Sequence, residues 1–217
     1  MYTSAPLPFT GQKRGWVKQY KEVLNHVAND IDVVVDLFGG SGLLSHIAKR
    51  VLPKAQVIYN DFDGYSKRIS AIPSTNKIVG MMRGVCSGLK EHQHIPSEIK
   101  NKLIAILNEV RESDDAADWI TLGSQLVFSG KRTVSYDDLV KHTFYYNFIK
   151  RDYNADGYLD GLEIVNSDYK ELLRQYGGNS RVLFVLDPPY LNTDNHGYGG
   201  KLAFNGLSGG PQGSRWE

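Results

Sequence analysis

The 217-residue chain carries 25 Lys and Arg against 24 Asp and Glu, a formal net charge of +1, so any nucleic-acid binding would need basic residues concentrated locally. Its one cysteine, Cys86, excludes an internal disulfide and argues against a cysteine-ligated zinc site. With no apolar run of transmembrane length, no apolar signal core and no internal repeat, the expectation is a cytoplasmic, non-membrane protein of one α/β domain with a small inserted lobe.

In chain order, Pro8-Phe9-Thr10-Gly11-Gln12-Lys13-Arg14-Gly15 is a turn-rich basic segment. Lys13 and Arg14 suit a solvated helix entry or a cationic loop beside an anionic ligand. Val17, Tyr20, Leu24 and Val27 recur at helical spacing and predict a helix from Trp16 to about Ala28.

Val33-Val34-Val35 then reads as a buried strand ending in Asp36, followed by Leu37-Phe38-Gly39-Gly40-Ser41-Gly42 and a helix over Leu43 to Val51. A strand, glycine turn and helix let a ligand approach bare backbone beside helix N–H groups. The pattern departs from the dinucleotide fingerprint, because Ser45 stands where the third glycine would be. An acid at Asp36 is ill-suited to a pyrophosphate and better suited to a ligand with a positive centre or an amino group. A second strand, Gln56 to Tyr59, ends in Asn60-Asp61-Phe62-Asp63. Asp61, and after it Asp63, is placed to accept hydrogen bonds from ribose hydroxyls, or else to cap the next helix.

From Gly64 to about Phe144 the pattern is polar and mainly helical, including Ser97 to Arg111 and, further on, Asp137 to Lys150. Inserted between strands, this stretch suits a recognition lobe or a supporting one. Asp152, Asn154, Asp156, Gly157, Asp160 and Glu163 match the ligand spacing of a calcium-binding EF-hand. However, the residues after Glu163 read as a short strand ending in a cap rather than an exiting helix, so no metal is expected there. Asp168 is placed to cap a helix starting at Tyr169.

Val182 to Leu186 is a further buried strand, and it runs into Asp187-Pro188-Pro189-Tyr190. The prolines end strand pairing and hold an acid at the carboxyl end of the strand, where open α/β sheets bind ligands. The Asp187 carboxylate, the Pro188 carbonyl and the Tyr190 ring suit a planar base carrying an exocyclic amino group. Residues 197–217 are glycine-rich without a clear element.

Taken together, these segments resemble the Dam-like family of DNA adenine-N6 methyltransferases. Asp36 to Gly42 is similar to that family's S-adenosylmethionine loop, and Asp187-Pro188-Pro189-Tyr190 to its catalytic tetrapeptide. Phe9 to Lys13 resembles the segment that closes over the cofactor, Asp61 the ribose-binding acid, and Asp168-Tyr169 the pair beside the cofactor adenine. Tyr146, Arg151, Tyr153 and Asn154 resemble the stretch that precedes that pair.

The resemblance implies a class I, Rossmann-like, mostly parallel sheet built from 1–63 and 151–217, with 64–150 as a helical DNA-recognition lobe. It implies S-adenosyl-L-methionine held by Phe9, Lys13, Asp36, Phe38, Gly39, Gly40, Gly42, Asp61, Asp168 and Tyr169. Asp187, Pro188, Pro189 and Tyr190 would be catalytic on an adenine extruded from double-stranded DNA. A cognate restriction endonuclease as partner is left open. The family continues past the catalytic strand with more helices and strands, whereas 27 residues follow Tyr190 here, so an incomplete sheet is expected. The alternatives are an inactive remnant that binds DNA or cofactor, and the same fold acting on cytosine N4 or RNA.

Overall fold

The apolar runs form four parallel strands in a computed structural model that describes residues 1–113, 117–128 and 131–187. These are β1 (Val33–Asp36), β2 (Gln56–Asn60), β3 (Leu162–Val165) and β4 (Val182–Val185), in spatial order β3-β2-β1-β4. β1 lies inside the sheet, with Val33 opposite Gln56 on one side and Val182 on the other. Its alternate side chains enter different cores. Val34 packs with residues of helices α1 (Val17–His26) and α2 (Leu43–Val51). Val33 and Val35 pack with Leu172 of a later helix, Tyr169–Tyr176. A strand covered on both faces needs apolar side chains on both, which is why β1 is an unbroken valine run. Each fully buried valine contributes about 1.5–3 kcal/mol. The result is a Rossmann-like, doubly covered parallel sheet.

Between β2 and β3 the chain forms α3 (Tyr65–Ser70), α4 (Ile72–Val85), α5 (Ser97–Ser113), α6 (Trp119–Ser124) and the single turn α7 (Tyr136–Leu139). Residues from 78 to 148 make their own apolar core, centred on Met82, Leu103, Leu107, Leu122 and Phe144. The helix expected over Asp137 to Lys150 is confined to α7. Over 143–149 there is no helix, and Tyr145 pairs with His94 in an isolated antiparallel bridge. Ile95 N–H donates to the Phe144 carbonyl at 2.9 Å and Tyr145 N–H to the Leu126 carbonyl at 2.7 Å. Phe144 and Phe148, four residues apart, satisfy a helical spacing and a strand alternation equally, and the aromatic residues around them favour the extended form.

After β3, Asp168 caps α8 (Tyr169–Tyr176): its Oδ1 accepts from Lys170 N–H at 2.7 Å, a contact worth about 1 kcal/mol. At the amino ends of β1 and β4, Arg181 forks onto both carboxylate oxygens of Asp32. Among the described residues no helix is long and apolar enough to cross a membrane.

Candidate functional site

All four strands run the same way, so the residues that follow them share one rim. β1 ends at Asp36, and Leu37 N–H donates to the Val185 carbonyl at 3.2 Å. That bond sets the glycine turn after β1 beside the segment leaving β4, where Asp187 lies two residues on. A narrow slot of about 30 Å³ opens between them. Phe9, Lys13, Asp36, Phe38, Gly39, Gly40 and Asp187 all line it. Seven of the residues expected to bind cofactor or act in catalysis therefore meet at one place. The N-terminal segment flanks the slot and is tied to its far turn by a 2.9 Å ion pair between Lys13 and Asp187.

Asp36 is the most constrained of these groups. It is buried, and the Ser45 hydroxyl donates to its Oδ2 at 2.6 Å. Burial pushes its carboxyl up from 3.8 to about 6, and the nearby charge of Asp187 adds to the rise. The Ser45 hydroxyl and the backbone N–H groups of Phe38 and Ser45 oppose it. A buried carboxylate so disfavoured is a ready partner for a cation. The turn itself requires glycine. A Cβ at Gly39 would fall 2.3 Å from the Tyr59 ring, and Gly42 holds a φ of +72° at the start of α2.

Asp61, just past β2, is buried and turned to the protein. Its carboxylate accepts from the N–H groups of Tyr65 and Ser66 at 2.6 and 2.8 Å, from the Ser66 hydroxyl, and lies 3.0 Å from the Tyr59 hydroxyl. In this structure it caps α3, the alternative role open to it from sequence. Asp63 stands nearby, half-buried.

Tyr169 comes beside the glycine turn, its ring 5.2 Å from that of Phe38, while Asp168 stays exposed as the α8 cap. Asn60 joins three of the strand ends. Its side-chain amide donates to the carbonyls of Leu37 and Ser167 at 3.0 and 2.9 Å, and its oxygen accepts from Ser167 N–H. Nothing in its spacing pointed to this, because the partners come from distant segments. Pro188, Pro189 and Tyr190 lie outside the described residues.

The N-terminal segment is strapped across the rim. Tyr65 Oη accepts from Leu7 N–H at 2.9 Å and lies 3.1 Å from the Leu7 carbonyl, Arg68 donates to the Pro8 carbonyl at 2.8 Å, and Phe9 meets Tyr65 edge-on. Arg68 also bonds Asp118 at 2.9 Å, tying the strap to α6. Phe9 and Gln12 also line a larger cleft of about 470 Å³, together with Arg68, Glu91, His92, Phe128, Lys131 and Arg132. Phe128 is exposed and its ring lies 4.1 Å from that of Tyr145, tilted by 43°.

The stretch with EF-hand spacing is engaged in other contacts. Asn154 bonds Asp156, and Glu163 sits on β3 accepting from the Gln56 amide at 2.6 Å. Among the described residues no group of three His, Cys, Asp or Glu is placed to hold a metal ion.

Over 202 residues the chain is 39% identical to a Haemophilus influenzae protein described as "Putative methyltransferase". The match covers 91% of this chain and 67% of the relative. No family model matches the chain, and no solved structure does.

Proposed function

The chain belongs to the methyltransferases of its Haemophilus relative, and on that premise we propose that it moves a methyl group from S-adenosylmethionine to N6 of an adenine extruded from double-stranded DNA. The observation that carries this reading is the meeting of Asp36 and Asp187 at one slot, at the ends of adjacent parallel strands, one beside the glycine turn and the other opening the Asp-Pro-Pro-Tyr tetrapeptide.

The residues fit the cofactor. Asp36 is a buried acid that a cationic group would relieve, the glycine turn leaves backbone accessible, and Phe38 and Tyr169 form an aromatic pair for a purine. Phe9 and Lys13 would close over it, with Gly39, Gly40 and Gly42 as the bare floor. Asp61 would shape the ribose side through α3, with Asp168 at the entrance to the purine wall. When bound, S-adenosylmethionine supplies a methyl group on a sulfonium centre. The protein's part is positioning and electrostatics. Asp187 and the Pro188 carbonyl would each accept one N6–H hydrogen bond, orienting the nitrogen lone pair, and Tyr190 would stack on the base. Pro189 would keep the turn rigid.

Residues 64–150 would form the DNA-recognition lobe between the two parts of the catalytic domain. The cleft lined by Lys131, Arg132 and the exposed Phe128 combines cations and an aromatic ring, the chemistry that grips phosphates and stacks on bases. Extruding the base costs about a few kcal/mol, which contacts of this kind would offset. The test is transfer of labelled methyl from S-adenosylmethionine to unmethylated duplex DNA, with single-stranded RNA as the parallel substrate. Label entering DNA supports the reading. Label entering only RNA, or neither, rejects it.

A further inference from the structure

Two carbonyls of the glycine turn are met from inside the protein by buried tyrosine hydroxyls. Tyr59, on β2, lies 2.8 Å from the Gly40 carbonyl and 3.0 Å from Asp61 Oδ1, so its single proton serves one or the other. Tyr158, in the loop before β3, donates to the Ser41 carbonyl at 2.9 Å. Both side chains are fully buried. The Tyr59 ring fills the space that side chains at Gly39 and Gly42 would take, approaching their Cβ positions at 2.3 and 3.3 Å. The Tyr158 ring stacks on His46 of α2 at 4.9 Å, and the His46 Nδ1 bonds the Tyr158 carbonyl at 2.7 Å.

A glycine turn with two left-handed residues, Gly40 and Gly42, is intrinsically mobile and would lose much conformational freedom on binding a ligand. The Tyr158 hydroxyl on the Ser41 carbonyl, and that of Tyr59 when its proton lies on the Gly40 carbonyl, restrict that freedom beforehand, because a bond released in such a place leaves a polar group without a partner. Burial keeps both hydroxyls protonated by pushing them well above their ordinary range.

We propose that Tyr59 and Tyr158 are positioning residues that hold the glycine turn in its ligand-ready form, one against the acid after β2 and the other against the loop entering β3. The proposal rests on the turn being the S-adenosylmethionine site. Neither tyrosine lines the slot, so their effect is on affinity for the cofactor, not on the reacting atoms.

The test is calorimetric titration of S-adenosylhomocysteine into wild type, Tyr59→Phe and Tyr158→Phe, with steady-state methyl transfer and unliganded melting curves on the same proteins. Each variant keeps the ring and loses only the hydroxyl. The expected result is a roughly 5- to 20-fold weaker affinity in each variant, a matching rise in KM for S-adenosylmethionine, and kcat within about twofold of wild type. A merely structural role would lower the melting temperature without that split between KM and kcat. A variant that binds as tightly as wild type removes its tyrosine from the proposal, and a fall in kcat at unchanged KM overturns it. Wild type failing to bind would instead overturn the cofactor reading, and this inference with it. If one variant does not fold, the other still decides, since the two hydroxyls meet different carbonyls. Hydrogen exchange on the unliganded wild type adds a readout free of substitutions. Slow exchange is expected at Gly39 and Gly42, whose N–H groups donate to the Asn60 and Gly39 carbonyls, and exchange slowed there only by ligand contradicts a preset turn.

Discussion

Replacing Asp36 by Asn should change the way stability depends on pH, in a direction the buried carboxyl dictates. Its folded pKa stands near 6 against an ordinary 3.8, chiefly because burial penalises the charge. The folded state therefore binds this proton more tightly than the unfolded chain. Its contribution to stability is fully present below pH about 4 and is lost as pH rises through 6. At about 1.4 kcal/mol per unit, the rise amounts to about 3 kcal/mol, or roughly 6–12 °C in melting temperature for a chain of this size. Asn also disturbs the bonds from Ser45 and the Phe38 N–H, but that cost does not vary with pH and only displaces the curve. The buried His46 titrates with the opposite sign, its pKa lowered first by burial, so it destabilises the fold as pH falls. It is present in both proteins and cancels in the difference. Urea unfolding of both proteins from pH 4 to pH 8 without ligand should give a difference curve in which wild type loses about 2 to 2.5 kcal/mol relative to the variant, most of it between pH 4 and pH 6.5. A flat difference would refute the claim that Asp36 holds an unfavourable buried charge awaiting a cation.

Asp187→Ala should lower methyl transfer by roughly 10²-fold or more while S-adenosylhomocysteine affinity changes little; near-normal turnover would remove Asp187 from the chemistry. Asp61→Ala should weaken cofactor binding and, by uncapping α3, cost about 1–2 kcal/mol in the unliganded protein, so an unchanged urea midpoint would contradict the capping bonds seen here. Lys131→Ala and Arg132→Ala should each reduce the salt dependence of duplex-DNA binding by about one counterion, read as the slope of log affinity against log salt; unchanged slopes would move the DNA away from this cleft.

What could be read from the chain depended on how local the cause was. The valine run of β1, the glycines before α2 and the Asp168 cap each act within a few residues, and each appears where the pattern put it. The segment after α7 misled because Phe144 and Phe148 fit two periodicities, and the choice was made by distant partners at Ile95 and Leu126. The same holds at the site. That Asp36 and the glycines lie at a strand end is local information. That Lys13 closes on Asp187, that Asn60 joins the ends of three strands, and that Tyr59 and Tyr158 hold the turn all depend on contacts between residues far apart in the chain. The EF-hand spacing shows the reverse limit. Correct residue types at correct intervals do not fix the local fold, and Glu163 belongs to a strand, not to an exiting helix.

The central claim is that the donor turn and the Asp187 turn serve one transfer to an adenine amino group. Duplex DNA incubated with the protein and labelled S-adenosylmethionine, digested to nucleosides and resolved by mass spectrometry, tests it most directly. The account predicts label in N6-methyladenine with wild type and none with Asp187→Ala. Label in N4-methylcytosine, or label in N6-methyladenine that survives loss of Asp187, would contradict it.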